Sequence, residues 1–413
     1  MSLEVLSVLQ LYAANEPLFP NLKILDLWPY GNSIPFIPLF LSPRTTVIII
    51  RDLRSDLPKA VVASMIASFP TLCPNLQEIG LDFLPSDPMI TAAISGILLS
   101  NNRNTLRCFR VDSPLTEEAH QVICNLPNLR DLSVAIEKGT SSPPAVLPNL
   151  TNLTLKYDHH SDLLQVFRGA TFGKLTAVTF HSGSEQIGSF LEAFERVALA
   201  ASVQKTLSEL RLYTSQSWHP NYSSLLPFTH LTTLNIQHSC DDGCSSRVDD
   251  GVITNLARAM PKLQTLKLGD PTCRETMTGV TANGLTVLAY YCPNLLALRV
   301  HLQADSLCVP PAISGVTPGT GPTAPRRDCA LKDIDVGEIL LPEESISAVA
   351  LHLAHIFPHI EEIDCTDKNW NKVLNTIRNS REVSGRSSEE HPLSALRSNI
   401  NDASPGATLE GAI

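Results

Sequence analysis

Residues 73–81 read CPNLQEIGL, residues 126–134 read LPNLRDLSV and residues 292–300 read CPNLLALRV. The three stretches share one frame: Leu or Cys, then Pro, Asn and Leu, two variable residues, an apolar residue, one variable residue and a last apolar residue. Reduced to L-x-x-L-x-L, with Ile, Val, Phe or Cys accepted in the Leu slots, the frame recurs along most of the chain. It fits Leu22-Leu25-Leu27, Leu76-Ile79-Leu81, Leu106-Phe109-Val111, Leu129-Leu132-Val134, Leu150-Leu153-Leu155 and Leu175-Val178-Phe180. It fits again at Leu207-Leu210-Leu212, Leu231-Leu234-Ile236, Leu263-Leu266-Leu268, Leu295-Leu298-Val300, Leu331-Ile334-Val336 and Ile360-Ile363-Cys365. RTTVIII (44–50) is a degenerate thirteenth copy, with Ile48 and Ile50 in the apolar slots.

One such match carries little, because Leu-rich chains produce it by chance; twelve or thirteen in order across residues 19–366 are specific. The final apolar pair is spaced by two, so both side chains fall on one side of a short strand. Each unit has an apolar edge it cannot bury alone, and parallel stacking of units joins those edges into one ridge. The anchors recur roughly 21 to 36 residues apart, around the period of leucine-rich repeats. Most spacers, among them 87–101, 116–126, 184–201, 249–260 and 343–357, place apolar residues at intervals of three and four, the pattern of an amphipathic helix. Several open on Asp, Ser or Thr, which cap first turns; Ser182 or Ser184 is expected to cap the helix at 184–201. EKGTSSPPAV (137–146) is too short for a helix and reads as a turn or loop.

The expected fold is therefore α/β: a leucine-rich-repeat solenoid, a horseshoe with a parallel concave sheet and helices or loops on the convex side. Its expected parts are an N-terminal capping segment (1–18), the repeats (19–366), a C-terminal capping helix (367–381) and a disordered tail (382–413). Trp370, Val373 or Leu374, and Ile377 are expected to pack that helix on the last strand. The Pro-, Gly- and Thr-rich stretch 309–327 is expected to be a flexible insertion.

A net charge of −10 argues against sequence-independent nucleic-acid binding. Ten cysteines in 413 residues are too sparse for a disulfide scaffold. They read as small buried residues of a reducing compartment, so the expected location is cytoplasmic or nuclear. No apolar run reaches about 20 residues, so no membrane span is expected. No Walker A loop, G-x-G-x-x-G, G-x-S-x-G or H-E-x-x-H motif occurs. HSCDDGC (238–244) matches no common zinc spacing and lacks a fourth ligand; it reads as a polar loop, as does DHHSD (158–162). No catalytic residue, metal or cofactor is expected, and the work of the chain is expected to be binding.

Residues that alternate with the buried pair should line the open side of the sheet. One column, between the second and third apolar residues, runs Asp26, Ile49, Gly80, Arg110, Ser133, Thr154, Thr179, Arg211, Asn235, Lys267, Arg299, Asp335, Asp364. The next, just after the third, runs Trp28, Arg51, Asp82, Asp112, Ala135, Lys156, His181, Tyr213, Gln237, Gly269, His301, Gly337, Thr366. The candidate binding residues are Trp28, Arg110, Lys156, His181, Arg211, Tyr213, Lys267, Arg299 and His301. An acidic group, Asp333, Asp335, Glu362 and Asp364, completes the candidate set. Arg299 is expected to pair with Asp335, and PRRD (325–328) is the nearest basic segment to the acidic group.

TANGLTVLAYYCPNLLALRV (281–300) resembles the repeat of F-box leucine-rich-repeat proteins, and DDGVITNLARAMPKLQTLKL (249–268) is a second match. The opening EPLFPNLKILDLWPYGNSIPFIPLFLSPRTT (16–46) is similar to the expanded set of such proteins in mushroom-forming fungi. The resemblance spans about residues 16–380. It implies intracellular protein recognition on the concave face, as in the substrate-binding part of a ubiquitin ligase. An F-box is a helical module of about 45 residues ahead of the repeats, whereas about 18 residues precede the first frame here. The family's adaptor-binding residues therefore have no counterpart, and a cullin-ligase adaptor is an expected partner only through an F-box upstream. A leucine-rich-repeat scaffold or regulator unrelated to ubiquitin remains the alternative.

Overall fold

The computed structural model describes residues 3–12, 17–28, 31–53, 58–82, 84, 87–136, 146–157, 170–183, 201–214, 222–238, 248–269, 279–307 and 329–389. The expected insertion at 309–327, the two loops read as polar (apart from His238) and PRRD lie outside them. The strands are β1 (Ile24–Leu27), β2 (Val47–Ile50), β3 (Glu78–Leu81), β4 (Cys108–Pro114), β5 (Asp131–Ile136), β6 (Val146–Leu147), β7 (Asn152–Tyr157), β8 (Thr171–Phe172), β9 (Ala177–Ser182), β10 (Glu209–Thr214), β11 (Thr233–His238), β12 (Thr265–Leu268), β13 (Ala297–Arg299), β14 (Asp333–Gly337) and β15 (Glu362–Cys365). All except β6 and β8 form one 13-stranded sheet whose order follows the chain. Every neighbouring pair in it is parallel. Helices flank the sheet, giving a solenoid-like α/β arrangement.

One hydrogen-bond pattern recurs at all twelve steps between these strands. The carbonyl just after the first Leu of each frame accepts two backbone N–H groups from the next turn. Lys23 holds Thr46 and Val47 at 2.8 and 3.1 Å; Thr46 holds Gln77 and Glu78; the series ends with Lys332, which holds Glu361 and Glu362. The hydroxyls of Thr151, Thr176, Ser208 and Thr232 add a third donor to that carbonyl at 2.9–3.1 Å. The first Leu of each frame tucks under this turn, and its apolar pair faces the helices; Leu76, Ile79 and Leu81 are fully buried, as are Leu263 and Leu266.

Three of the caps expected from the spacers are present: Asp87, Thr116 and Asp249 each accept a backbone N–H at the first turn of Pro88–Leu99, Glu117–Ile123 and Asp250–Ala259. Thr281 does the same for Ala282–Tyr291, while the helix Ile346–Ile356 has no side-chain cap. The cysteine of CPNL also has a role. The buried Cys292 thiol lies 3.8 and 3.6 Å from the carbonyls of Ala257 and Met260, at the C-terminal end of the preceding helix, whose last carbonyls lack intrahelical partners. Cys329 repeats the contact one unit on, against the Cys292 carbonyl. Burial raises the Cys292 thiol to about 12, so it stays protonated and donates. The six described cysteines are free thiols, all but Cys365 buried.

Ser182 is the buried last residue of β9, two residues past the frame, and the helix expected at 184–201 lies, apart from Ala201, outside the described residues. Two expectations need correction. The spacer 137–146 does not end as loop, since Val146 begins β6, which pairs with β8 where a helix has no room. The last helix runs Lys368–Glu389, past the expected end at 381 and through the first eight residues of the expected tail.

That helix closes the end of the sheet. Trp370 is fully buried, its indole N–H donates to the Ile339 carbonyl at 2.9 Å, and Val373, Leu374 and Ile377 are buried with it. The Glu361 carbonyl, which would hold the next turn, takes the Arg378 guanidinium at 2.6 Å, and the Ile360 carbonyl takes Arg381 at 2.9 Å. At the other end, the helix Leu3–Tyr12 packs on the 3-10 segment Gly31–Phe40.

Trp370→Ala should cost about 3–5 kcal/mol locally. Amide hydrogen exchange should then quicken first in residues 357–377; equal acceleration across all strands would show that the helix is not a local cap. A second prediction compares two glycines. A Cβ at Gly284 would lie 2.4 Å from Asp250 Oδ1, whose carboxylate holds the Thr281 N–H and hydroxyl across to the next unit. At Gly96, within Pro88–Leu99, a Cβ meets nothing within 4 Å. Gly284→Ala should lower the melting temperature, whereas Gly96→Ala should raise stability by up to about 1 kcal/mol.

Candidate binding face

The strands bury one side against the helices and leave the other open. Their register sets Asp26, Ile49, Gly80, Arg110, Ser133, Thr154, Thr179, Arg211, Asn235, Lys267, Arg299, Asp335 and Asp364 side by side, one per strand. The second column is continuous through Ala135, Lys156, His181, Tyr213 and Gln237. It breaks twice. Between β4 and β5 the register slips so that Pro114, not Asp112, stands opposite Ala135. Between β14 and β15 Gly337 stands opposite Cys365, not Thr366. The second slip has a local cause: Gly337 takes a left-handed φ of 64°, and its N–H donates to Asp335 Oδ1 at 3.0 Å.

A third column, one position before the buried pair, carries Glu78, Asp131 and Glu209 as well as Asp333 and Glu362. The same alternation marks it in the sequence, yet only its last two members were read as site residues. It consumes much of the positive charge on the face. Arg110 Nη2 lies 2.7 Å from Asp131, with Glu78 at 3.6 Å. Arg211 pairs with Glu209 of its own strand at 2.6 Å. Arg51 grips Asp26 through two hydrogen bonds of 3.1 Å and lies over the Trp28 ring, whose centroid is 5.7 Å from the guanidinium carbon. Lys156 reaches across small Ala135 to Asp112 at 2.7 Å. Burial, followed by the charge of Asp112, pushes the Asp82 carboxyl above its usual range. These partly exposed pairs add little stability, being screened by water; their effect is to neutralise the half of the face nearer β1.

At the centre the His181 and Tyr213 rings stack, 4.8 Å apart and 10° from parallel. Asn235 Nδ2 donates to Tyr213 Oη at 3.3 Å. Beyond them Lys267 is half-buried and has no ion pair among the described residues. Arg299 pairs with Asp335 at 2.5 Å, as expected, and Asp335 is further committed to Gly337. The expected group of four carboxylates therefore reduces to three exposed ones, Asp333, Glu362 and Asp364. His301 does not line the face. It is 6% exposed and packs against Gly269, where φ is +91° and a Cβ would lie 3.1 Å from the imidazole. The chain leaves the sheet after Arg299, and that turns the ring inward. Trp28, 66% exposed, is the most open of the sequence-read aromatic candidates.

Among the described residues no group of three or more His, Cys, Asp or Glu could hold a metal ion, and no helix is long and apolar enough to cross a membrane. No protein-family profile matches the chain. No curated protein matches it either.

His120, His181 and His352 all sit below the ordinary imidazole value of 6.5, in each case mainly because burial disfavours the charged ring. Lys156 adds to the effect at His181, against Asp112. The unfolded chain takes these protons first, near pH 6.5, and the folded chain only at lower pH, so stability falls as pH drops below 6.5. Urea midpoints measured at about pH 7.5 and 5.5 should differ in that sense, and His181→Gln should narrow the gap. A gap unchanged by that variant would remove His181 from the account.

Proposed function

We propose that the chain is a leucine-rich-repeat protein whose open sheet face is the concave side of a horseshoe, and that this face recognises a partner protein. On its resemblance to F-box leucine-rich-repeat proteins, the bound protein is a substrate being selected for ubiquitination, with a cullin-ligase adaptor engaged through an F-box upstream. The observation that carries the reading is the thirteen-residue column, one residue per strand, which is polar from Arg110 to Asp364 and has the His181–Tyr213 stack beside it in the second column. Stacked aromatic and Arg side chains on an open surface are the residue types that anchor protein interfaces.

The intact chain should capture its partner from cell extract through this face. Tyr213→Ala and His181→Ala should weaken capture roughly tenfold or more, while Leu351→Ala, on the helix Ile346–Ile356 and 74% exposed, should leave it unchanged. Equal loss in all three variants would overturn the face assignment. Expressed together with the sequence encoded upstream of Met1, the protein should co-purify with cullin-ligase subunits, and their absence from a capture that retains the substrate would overturn the ubiquitin part.

A further inference from the structure

We infer that Tyr213, Asn235 and Lys267 form a subsite for an acidic residue in an extended partner segment, and that Asp333, Glu362 and Asp364 take a basic residue three or four positions away. The inference rests on the proposed face and specifies what that face reads.

The starting point is Asn235. It stands in the first column of the face, between Arg211 on β10 and Lys267 on β12, and is 8% exposed. Its Nδ2 is spent on Tyr213 Oη, while its Oδ1 is buried and accepts no hydrogen bond from the described residues. An acceptor held out of water without a donor is costly, and an incoming donor recovers that cost. The donor is not cationic, because Arg211 and Lys267 flank it on both sides. A main-chain N–H is the neutral donor that any extended segment brings. Lys267, without an ion pair among the described residues, then answers a carboxylate on the same residue. Both Tyr213 and Lys267 are partly exposed and so within reach of the segment.

The far end of the face has the opposite sign. The Arg299–Asp335 pair on β13 and β14 is a neutral spacer. Past it lie Asp333 on β14 and Glu362 and Asp364 on β15, exposed and without an ion pair among the described residues. Strands about 4.8 Å apart put β14 and β15 roughly 10 to 14 Å from β12, which an extended chain covers in three or four residues at about 3.3 Å each. A segment crossing the strands with its acidic residue over β12 therefore sets a basic residue over β14 and β15. Reversing those two charges sets like against like at both ends, so the face also selects the direction of the segment.

The test uses a random peptide library displayed on phage and panned against the full-length chain, with the leading peptide then synthesised for fluorescence anisotropy. Enriched peptides should carry Asp or Glu three or four positions from Lys or Arg. Methylating the main-chain nitrogen of the acidic residue should weaken binding roughly tenfold, a result that leaves the protein itself untouched. Lys267→Glu should shift enrichment from acidic to basic at that position, and Asp333→Lys with Asp364→Lys should do the converse at the other. Melting curves of each variant confirm folding. Peptides that are lost with Tyr213→Ala but lack the charge spacing, or that ignore N-methylation, would overturn this inference and leave the face assignment standing. Peptides indifferent to Tyr213→Ala and His181→Ala alike would overturn the face assignment itself.

Discussion

The carbonyl that follows the first Leu of each frame holds the next turn by two N–H groups, and the rest of the molecule depends on that contact. It repeats from Lys23 to Lys332 without a gap. Because it locks where each strand begins, it sets the register of all thirteen, and register decides which side chains share a column. Repeats whose anchors lie as little as 21 and as much as 36 residues apart reach the same contact. They differ only in what fills the layer behind the sheet: helices where there is room, 3-10 turns or the β6–β8 pair where there is not. Loop length costs little entropy compared with the recurring hydrogen bonds and buried Leu residues it connects.

A contact that propagates must also be stopped. After β15 it is stopped chemically, by Arg378 and Arg381 taking the carbonyls that another turn would have used, and sterically, by Trp370. β1 has the opposite character. Phe19, Ile24 and Trp28 stand more than half exposed around it. Among the described residues the two ends of the sheet thus differ, one satisfied by the chain's own basic helix and the other bordered by exposed apolar side chains.

The open face is divided in a related way. Toward β1 its charges are largely answered internally, Arg51 by Asp26, Arg110 by Asp131 and Lys156 by Asp112. Toward β15 the Arg299–Asp335 pair leaves Lys267 on one side and three carboxylates on the other. On the proposed function, charges already paired have little to offer a partner, so specificity would belong to the centre and the far end, around Tyr213 and Asn235 and out to Asp364.

The frame itself was legible in the letters. Period-two burial depends only on neighbouring residues, so each of the thirteen strands, the first column of the face and the capping roles of Asp87, Thr116 and Asp249 follow from local pattern. Trp370 and the Arg299–Asp335 pair were legible too, since both need only the order of the strands. Tertiary structure alone decided the rest. Whether Asp112 meets Ala135 or Lys156 depends on a slip in register at β4, and whether His301 faces out or in depends on where the chain leaves β13. That Asn235 keeps one hydrogen bond and lacks another depends on neighbours contributed by separate strands. Such facts arise from contacts between residues 20 to 36 positions apart, where side-chain reach and small register shifts outweigh the local preferences a sequence records.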